Sequence, residues 1–149
     1  MNQAHSAAHH GTPGAALPAT LAGVDTRPAG ELLALSPVAV AFGAAAAANL
    51  GQLIMRPGGP ELPVRDGARV LVVVDPAVEA AGHLAPLLES LTAAGLRATC
   101  FDDVRPNPTT ETVAAALHAA RSARPELIVG MGGGSAMDCA KAVNLLLSC

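Results

Sequence analysis

From Pro37 onward the apolar positions fall into short bursts with strand character, and each burst is followed by a stretch spaced as a helix face. Val38-Ala39-Val40-Ala41-Phe42 suits a strand, Gly43 turns the chain, and Ala44 to Met55 suits an alanine-rich helix. A breaker cluster, Arg56-Pro57-Gly58-Gly59-Pro60-Glu61-Leu62-Pro63, reads as a loop. Arg69-Val70-Leu71-Val72-Val73-Val74 is a continuous β-branched run of the kind a central parallel strand shows when both its faces are buried, and it ends at Asp75. Helical spacing from about Ala77 to Ala94 puts Leu84, Leu87, Leu88 and Leu91 on one face, with Gly95 as a C-terminal cap and Gly82 and Pro86 interrupting the middle. Leu96 to Phe101 is a further strand. Thr109 or Thr110 caps a helix running to about Ala123, and Pro125 to Met131 is a short buried strand. After Gly132-Gly133-Gly134, helical character returns from Ala140 to Leu147.

Strand and helix alternate throughout, so the expected fold is α/β: a doubly wound, mostly parallel, Rossmann-like sheet in a single domain. Residues 36–149 are assigned to it. Met1 to about Leu35 mixes His, Gly, Pro, Ala and Thr without either period, buries too little apolar surface to offset ordering entropy, and is expected to form a flexible N-terminal arm.

Composition narrows the function. With 51% hydrophobic and 14% charged residues the 149-residue chain is globular in class. A net charge of -3, two Phe and no Trp or Tyr leave neither a basic surface nor stacking platforms, which argues against nucleic acid and against an anionic membrane as partner. The apolar run from Val38 to Met55 is short for a bilayer crossing and is interrupted by Gly43, Asn49, Gly51 and Gln52. Without a secretory signal pattern, a cytoplasmic location is expected. Cys100, Cys139 and Cys149 are odd in number and lack paired spacing, so neither a disulfide framework nor a zinc site is indicated, and Cys139 reads as a small buried residue. His5, His9, His10, His83 and His118 show no metal-ligand spacing.

The chemistry concentrates at the triple glycine. It lies at a strand-to-helix turn, where backbone N–H groups and the helix dipole favour an anion, so it reads as a phosphate cradle, with a mere tight turn as the plainer alternative. Ser135 suits a helix N-cap and Asp138 the acid of a capping box. A Walker A loop is excluded, because no Gly-Lys-Ser or Gly-Lys-Thr follows the glycines, and the dinucleotide fingerprint fits poorly on this last strand. Asp75, at the end of its strand, is placed either to accept hydrogen bonds from ribose hydroxyls or simply to cap a turn before the next helix. Asn107 stands between Pro106 and Pro108 on a stiffened loop, and these residue types by themselves favour an ordinary connection before a capped helix.

Taken in order, Phe42-Gly43, Val73-Val74-Asp75, Phe101-Asp102-Asp103-Val104-Arg105-Pro106-Asn107-Pro108-Thr109 and Gly132-Gly133-Gly134-Ser135-Ala136-Met137-Asp138-Cys139-Ala140-Lys141 resemble the N-terminal half of the iron-containing, group III alcohol dehydrogenases. The likeness runs from about Leu35 to Cys149. It implies an NAD(P)-binding domain in which Asp75 contacts the adenosine ribose and favours NAD over NADP. Asn107 would lie by the cofactor, Gly133, Gly134 and Ser135 would hold the pyrophosphate, and Asp138 would close the motif. The resemblance also implies an alcohol or aldehyde substrate and a metal, Fe2+ or Zn2+, held by one Asp and three His on an all-helical C-terminal domain. Those ligands would fall beyond Cys149, so the chain is expected to be a fragment or truncated product without dehydrogenase activity of its own. Its exposed docking surface would favour a homodimer or higher oligomer. The alternative is a standalone, non-catalytic nucleotide-binding or interaction module.

Overall fold

The continuous apolar strand predicted over residues 69–74 is the axis of the molecule. The structure, a computed structural model, describes residues 20–21, 24–25, 46–55 and 64–149. Elements in chain order are β1 (Thr20–Leu21), β2 (Val24–Asp25), a 3-10 turn (Ala47–Asn49) leading into α1 (Leu50–Met55), β3 (Arg69–Val74), α2 (Pro76–Ala80), α3 (Leu84–Ala93), β4 (Arg97–Phe101), α4 (Thr110–Ala123), β5 (Leu127–Met131) and α5 (Gly134–Ser148). Strands β1 and β2 pair antiparallel with each other. The strand expected over Val38 to Phe42 and most of the expected arm lie outside the described residues.

β3 is central, with β4 on one side and β5 on the other, all parallel. Its alternate residues serve two cores. Val70, Val72 and Val74 face Ile54, Leu84, Leu87, Leu91 and Leu96, and so α1 and α3. Leu71 and Val73 face Phe101, Val104, Ala116, Ala120, Ala136, Cys139, Ala140 and Val143, and so α4 and α5. Helices on both faces explain why β3 is apolar at every position from Val70 to Val74 rather than alternating. At about 25 cal/mol per Å² of apolar surface removed from water, this two-sided burial is the main stabilising term.

The helix expected over residues 77–94 is two helices. Gly82 takes φ +80, which ends α2, and α3 restarts at Leu84, so that Pro86 falls in a first turn where its missing N–H costs no helical bond. Gly95 follows α3 in the left-handed region at φ +77, as its capping role required. Thr109 is the N-cap of α4, its hydroxyl accepting from Thr112 N at 3.4 Å. At the amino-terminal end of the strands Arg69 and Arg65 both reach Glu126, at 3.2 Å each, which ties the start of β3 to the start of β5. The last turn of α5 is apolar and exposed at Leu145, Leu146 and Leu147.

α1 docks on α3 through Gly51, whose N–H donates to the buried Ser90 hydroxyl at 3.0 Å. A Cβ at Gly51 would run into the Ser90 carbonyl and lie 2.8 Å from Ala94 Cβ. Both are parts of a packed helix that can yield only by separating the pair. Gly51→Ala is therefore expected to destabilise the fold by about 1–3 kcal/mol despite its better helix propensity. Urea unfolding checks this, and a more stable variant would show that the contact is not close.

Candidate functional site

β3 and β5 are neighbours in the sheet, yet the chain leaves them toward opposite faces. After β3 it passes to α2 and α3 on one side, and after β5 it passes to α5 on the other. The crevice this opens beyond the carboxyl ends of the strands is the general ligand position of an open parallel sheet. Two predicted features, Asp75 and the glycine turn, line it from either side.

The junction is tight. Asp75 N donates to Met131 O at 2.9 Å, extending the β3–β5 ladder past the end of β3. Gly132 then turns the chain at φ +145, a conformation that L side chains rarely adopt. A Cβ there would lie 2.6 Å from Asp75 Cβ and 3.1 Å from Ala136 Cβ. Gly132 is thus fixed by its neighbours, a role hidden in the sequence because its contact partner is 57 residues away. Gly130 also has a packing reason, since a Cβ there would lie 3.2 Å from Met137 Sδ and 3.3 Å from Ala140 Cβ, where α5 crosses β5.

Gly133 and Gly134 have no such reason. Gly133 has ordinary extended backbone at φ -80 and ψ -164, and a Cβ on either glycine would meet nothing within 4 Å. Their bare backbone faces open space. Gly133 is also the N-cap of α5, with no side chain capping it, and the first intrahelical bond is Met137 N to Gly133 O at 3.2 Å. The amides of Gly134, Ser135 and Ala136 therefore precede the helical ladder and point out of its head. Here the structure corrects the sequence reading. The helix begins six residues before Ala140, Ser135 lies inside its first turn rather than at the N-cap, and Asp138 makes no capping box but pairs with Lys141 at 3.6 Å. Glycine displaces serine as the cap because the chain enters the helix directly from the Gly132 turn.

Asp75 caps α2: its Oδ1 accepts from Ala77 N at 2.9 Å, with Pro76 at the first helical position. The plainer reading of this residue is therefore realised, and it fixes the carboxylate at the crevice by one oxygen. Asn107 has φ +53, left-handed rather than the extended backbone that a following proline favours, and its N–H donates to Ser135 Oγ at 3.3 Å. The β4–α4 loop is thereby brought to the head of α5. Asp138, fully on the outer side of α5, is the predicted residue set apart from this group, its carboxylate exposed beside Lys141.

Two of the cysteines sit where burial disfavours the thiolate. Cys139 is buried under α5, and burial pushes its thiol above the usual range. Cys100 is raised too, by burial first and then by the Glu79 and Asp102 charges. Among the described residues no cluster of three His, Cys, Asp or Glu side chains could hold a metal ion. No helix among them is long and apolar enough to cross a membrane.

Comparison with known proteins gives a consistent result. A family model described as iron-containing alcohol dehydrogenase matches residues 37–149. Alcohol dehydrogenase 4 of Saccharomyces cerevisiae is 37% identical over 82 residues, covering 55% of this chain and 22% of that protein. Choline dehydrogenase of Bacillus subtilis is 34% identical over 87 residues, covering 58% and 22%. Among solved structures, 1,3-propanediol oxidoreductase is similar with a TM-score of 0.60 at 28% identity, over 72% of this chain and 26% of that one. NADH-dependent butanol dehydrogenase A from Thermotoga maritima is similar with a TM-score of 0.57 at 28% identity, over 68% and 24%. The chain spans about a quarter or less of the length of the relatives it matches.

The contrast between the glycines is testable by stability alone. Gly132→Ala is expected to cost more than about 2 kcal/mol through strain and collision with Asp75. Gly134→Ala, inside the first turn of α5 with open space around its Cβ, should stay within about 0.5 kcal/mol of the parent. Thermal unfolding of the two variants reads both, and equal losses would mean that Gly134 is also held by packing.

Proposed function

The chain belongs to the iron-containing alcohol dehydrogenase family, and on that premise we propose that its α/β layer holds the pyrophosphate and adenosine half of NAD for hydride transfer between an alcohol and an aldehyde. The observation that carries this reading is the open space over Gly133 and Gly134 at the uncapped head of α5. Bare glycine backbone lets a pyrophosphate approach the Gly134 and Ser135 amides closely, and the positive end of the helix dipole favours its charge. The residues present fit the cofactor.

Each residue has a separate task in this reading. Gly133 and Gly134 give access, and Ser135 adds a hydroxyl beside the amides. Asp75 keeps one carboxylate oxygen on Ala77 N and offers the other to the two ribose hydroxyls, while its charge repels a 2′-phosphate. NAD, when bound, supplies the hydride acceptor. A metal is a different matter. The described residues offer no set of ligands that fits Fe2+ or Zn2+, so no step involving the substrate oxygen is assigned to them.

Calorimetric titration of the 149-residue chain tests the proposal. We expect NAD to bind and NADP to bind about tenfold or more weakly, a difference of about 1.4 kcal/mol, with no alcohol oxidation by the chain itself. Asp75→Gly should narrow that gap, because glycine at an N-cap costs only a few tenths of a kcal/mol and the fold survives. Equal affinity for both dinucleotides in the parent, or an unchanged preference in Asp75→Gly, would defeat the role given to Asp75. Absence of NAD binding would defeat the whole reading.

A further inference from the structure

The left-handed backbone of Asn107 is the least expected feature of the site. A proline at the next position biases a residue toward extended conformations, and asparagine is among the few non-glycine residues that tolerate φ near +53. Held this way, the loop presents the Asn107 N–H to the first turn of α5, where it donates to Ser135 Oγ at 3.3 Å. Among the described residues the Asn107 carboxamide itself makes no hydrogen bond.

The bond has a consequence for Ser135. A hydroxyl has one proton and two lone pairs, so accepting from Asn107 leaves the proton to be donated elsewhere. Serine in a helix commonly turns that proton onto the carbonyl four residues back. For Ser135, in the first turn of α5, that carbonyl belongs to Met131 in β5, before the Gly132 turn, so no helical carbonyl stands one turn below it. Among the described residues the Ser135 hydroxyl donates to no partner, which leaves its proton for a ligand at the head of α5.

We propose that Asn107 is a positioning residue that acts through its backbone: its left-handed N–H orients the Ser135 hydroxyl as a donor to a phosphate oxygen of the dinucleotide. This rests on the reading that the glycine cradle takes the pyrophosphate. It gives asparagine at this position a conformational purpose rather than a contact one, and glycine should replace it.

The test is calorimetric titration of the full 149-residue chain and its variants with NAD. Asn107→Gly should bind within about twofold of the parent, since glycine keeps both the backbone conformation and the N–H. Asn107→Ala and Ser135→Ala should each weaken binding by about tenfold, the scale of one charge-assisted hydrogen bond. In the Ser135→Ala background, Asn107→Ala should cost no more than about a further twofold, because the residue it positions is gone. A purely structural role for the loop would make the two losses multiply, and that outcome overturns the proposal. So does an Asn107→Gly variant as weak as Asn107→Ala, which would place the side chain on the ligand.

Should Asn107→Ala not fold, hydrogen exchange of the Asn107 amide decides. Protection present in the parent and lost in Ser135→Ala supports the proposal, and unchanged protection overturns it. A parent that fails to bind NAD removes the dinucleotide reading and this inference together. A parent that binds while the variants depart from the pattern removes the inference alone.

Discussion

The structure depends on one close approach, that of Gly132 to Asp75. Two adjacent parallel strands must send the chain to opposite faces of the sheet, and the bond from Asp75 N to Met131 O keeps them paired to the last residue before they part. At that point no room remains for a side chain: a Cβ on Gly132 would sit 2.6 Å from Asp75 Cβ. Positive φ is open to glycine at little cost and closed to almost every other residue, and Gly132 sits at φ +145. This single position therefore sets the angle at which α5 begins and, with it, where the Gly134, Ser135 and Ala136 amides point.

The two cores hold that junction still. β3 sends Val70, Val72 and Val74 to one side and Leu71 and Val73 to the other, all of them buried, so neither face can shift without opening the other. α5 adds Ala136, Cys139, Ala140 and Val143, small residues that bring the helix close to the sheet. Gly130 allows the same closeness from the strand side. The head of a closely docked helix is a precise place to put backbone donors, more so than a surface loop.

Most of the fold was legible in the sequence because its signals are local. A strand buried on both faces is an unbroken apolar run rich in valine, Thr109 marks a helix start, and Gly95 marks a helix end. Gly82 was also visible as an interruption, though helical spacing on both sides of it suggested one helix instead of two. What the sequence could not show is what the chain brings together from afar. Ser135 and Asp138 have the spacing of a capping box, but the turn at Gly132, imposed by Asp75, starts the helix earlier and frees both from that role. The Asn107–Ser135 bond spans 28 residues and depends on a backbone conformation that the flanking prolines would have argued against. The glycines likewise looked alike in sequence, and only their surroundings separate the two that packing requires, Gly130 and Gly132, from the two it does not.

That separation is the centre of the functional account: glycine without a packing reason, at an uncapped helix head, beside a carboxylate fixed at the end of the neighbouring strand. The most direct measurement is a titration of the isotopically labelled 149-residue chain with NAD, followed by amide chemical shifts. The largest changes are expected on Gly133 to Ala136, with Asp75 and Asn107 next and the Arg65–Arg69–Glu126 cluster at the far end of the strands unmoved. Changes centred elsewhere on the sheet, or an unperturbed Gly133 to Ala136 segment in saturating NAD, would contradict it.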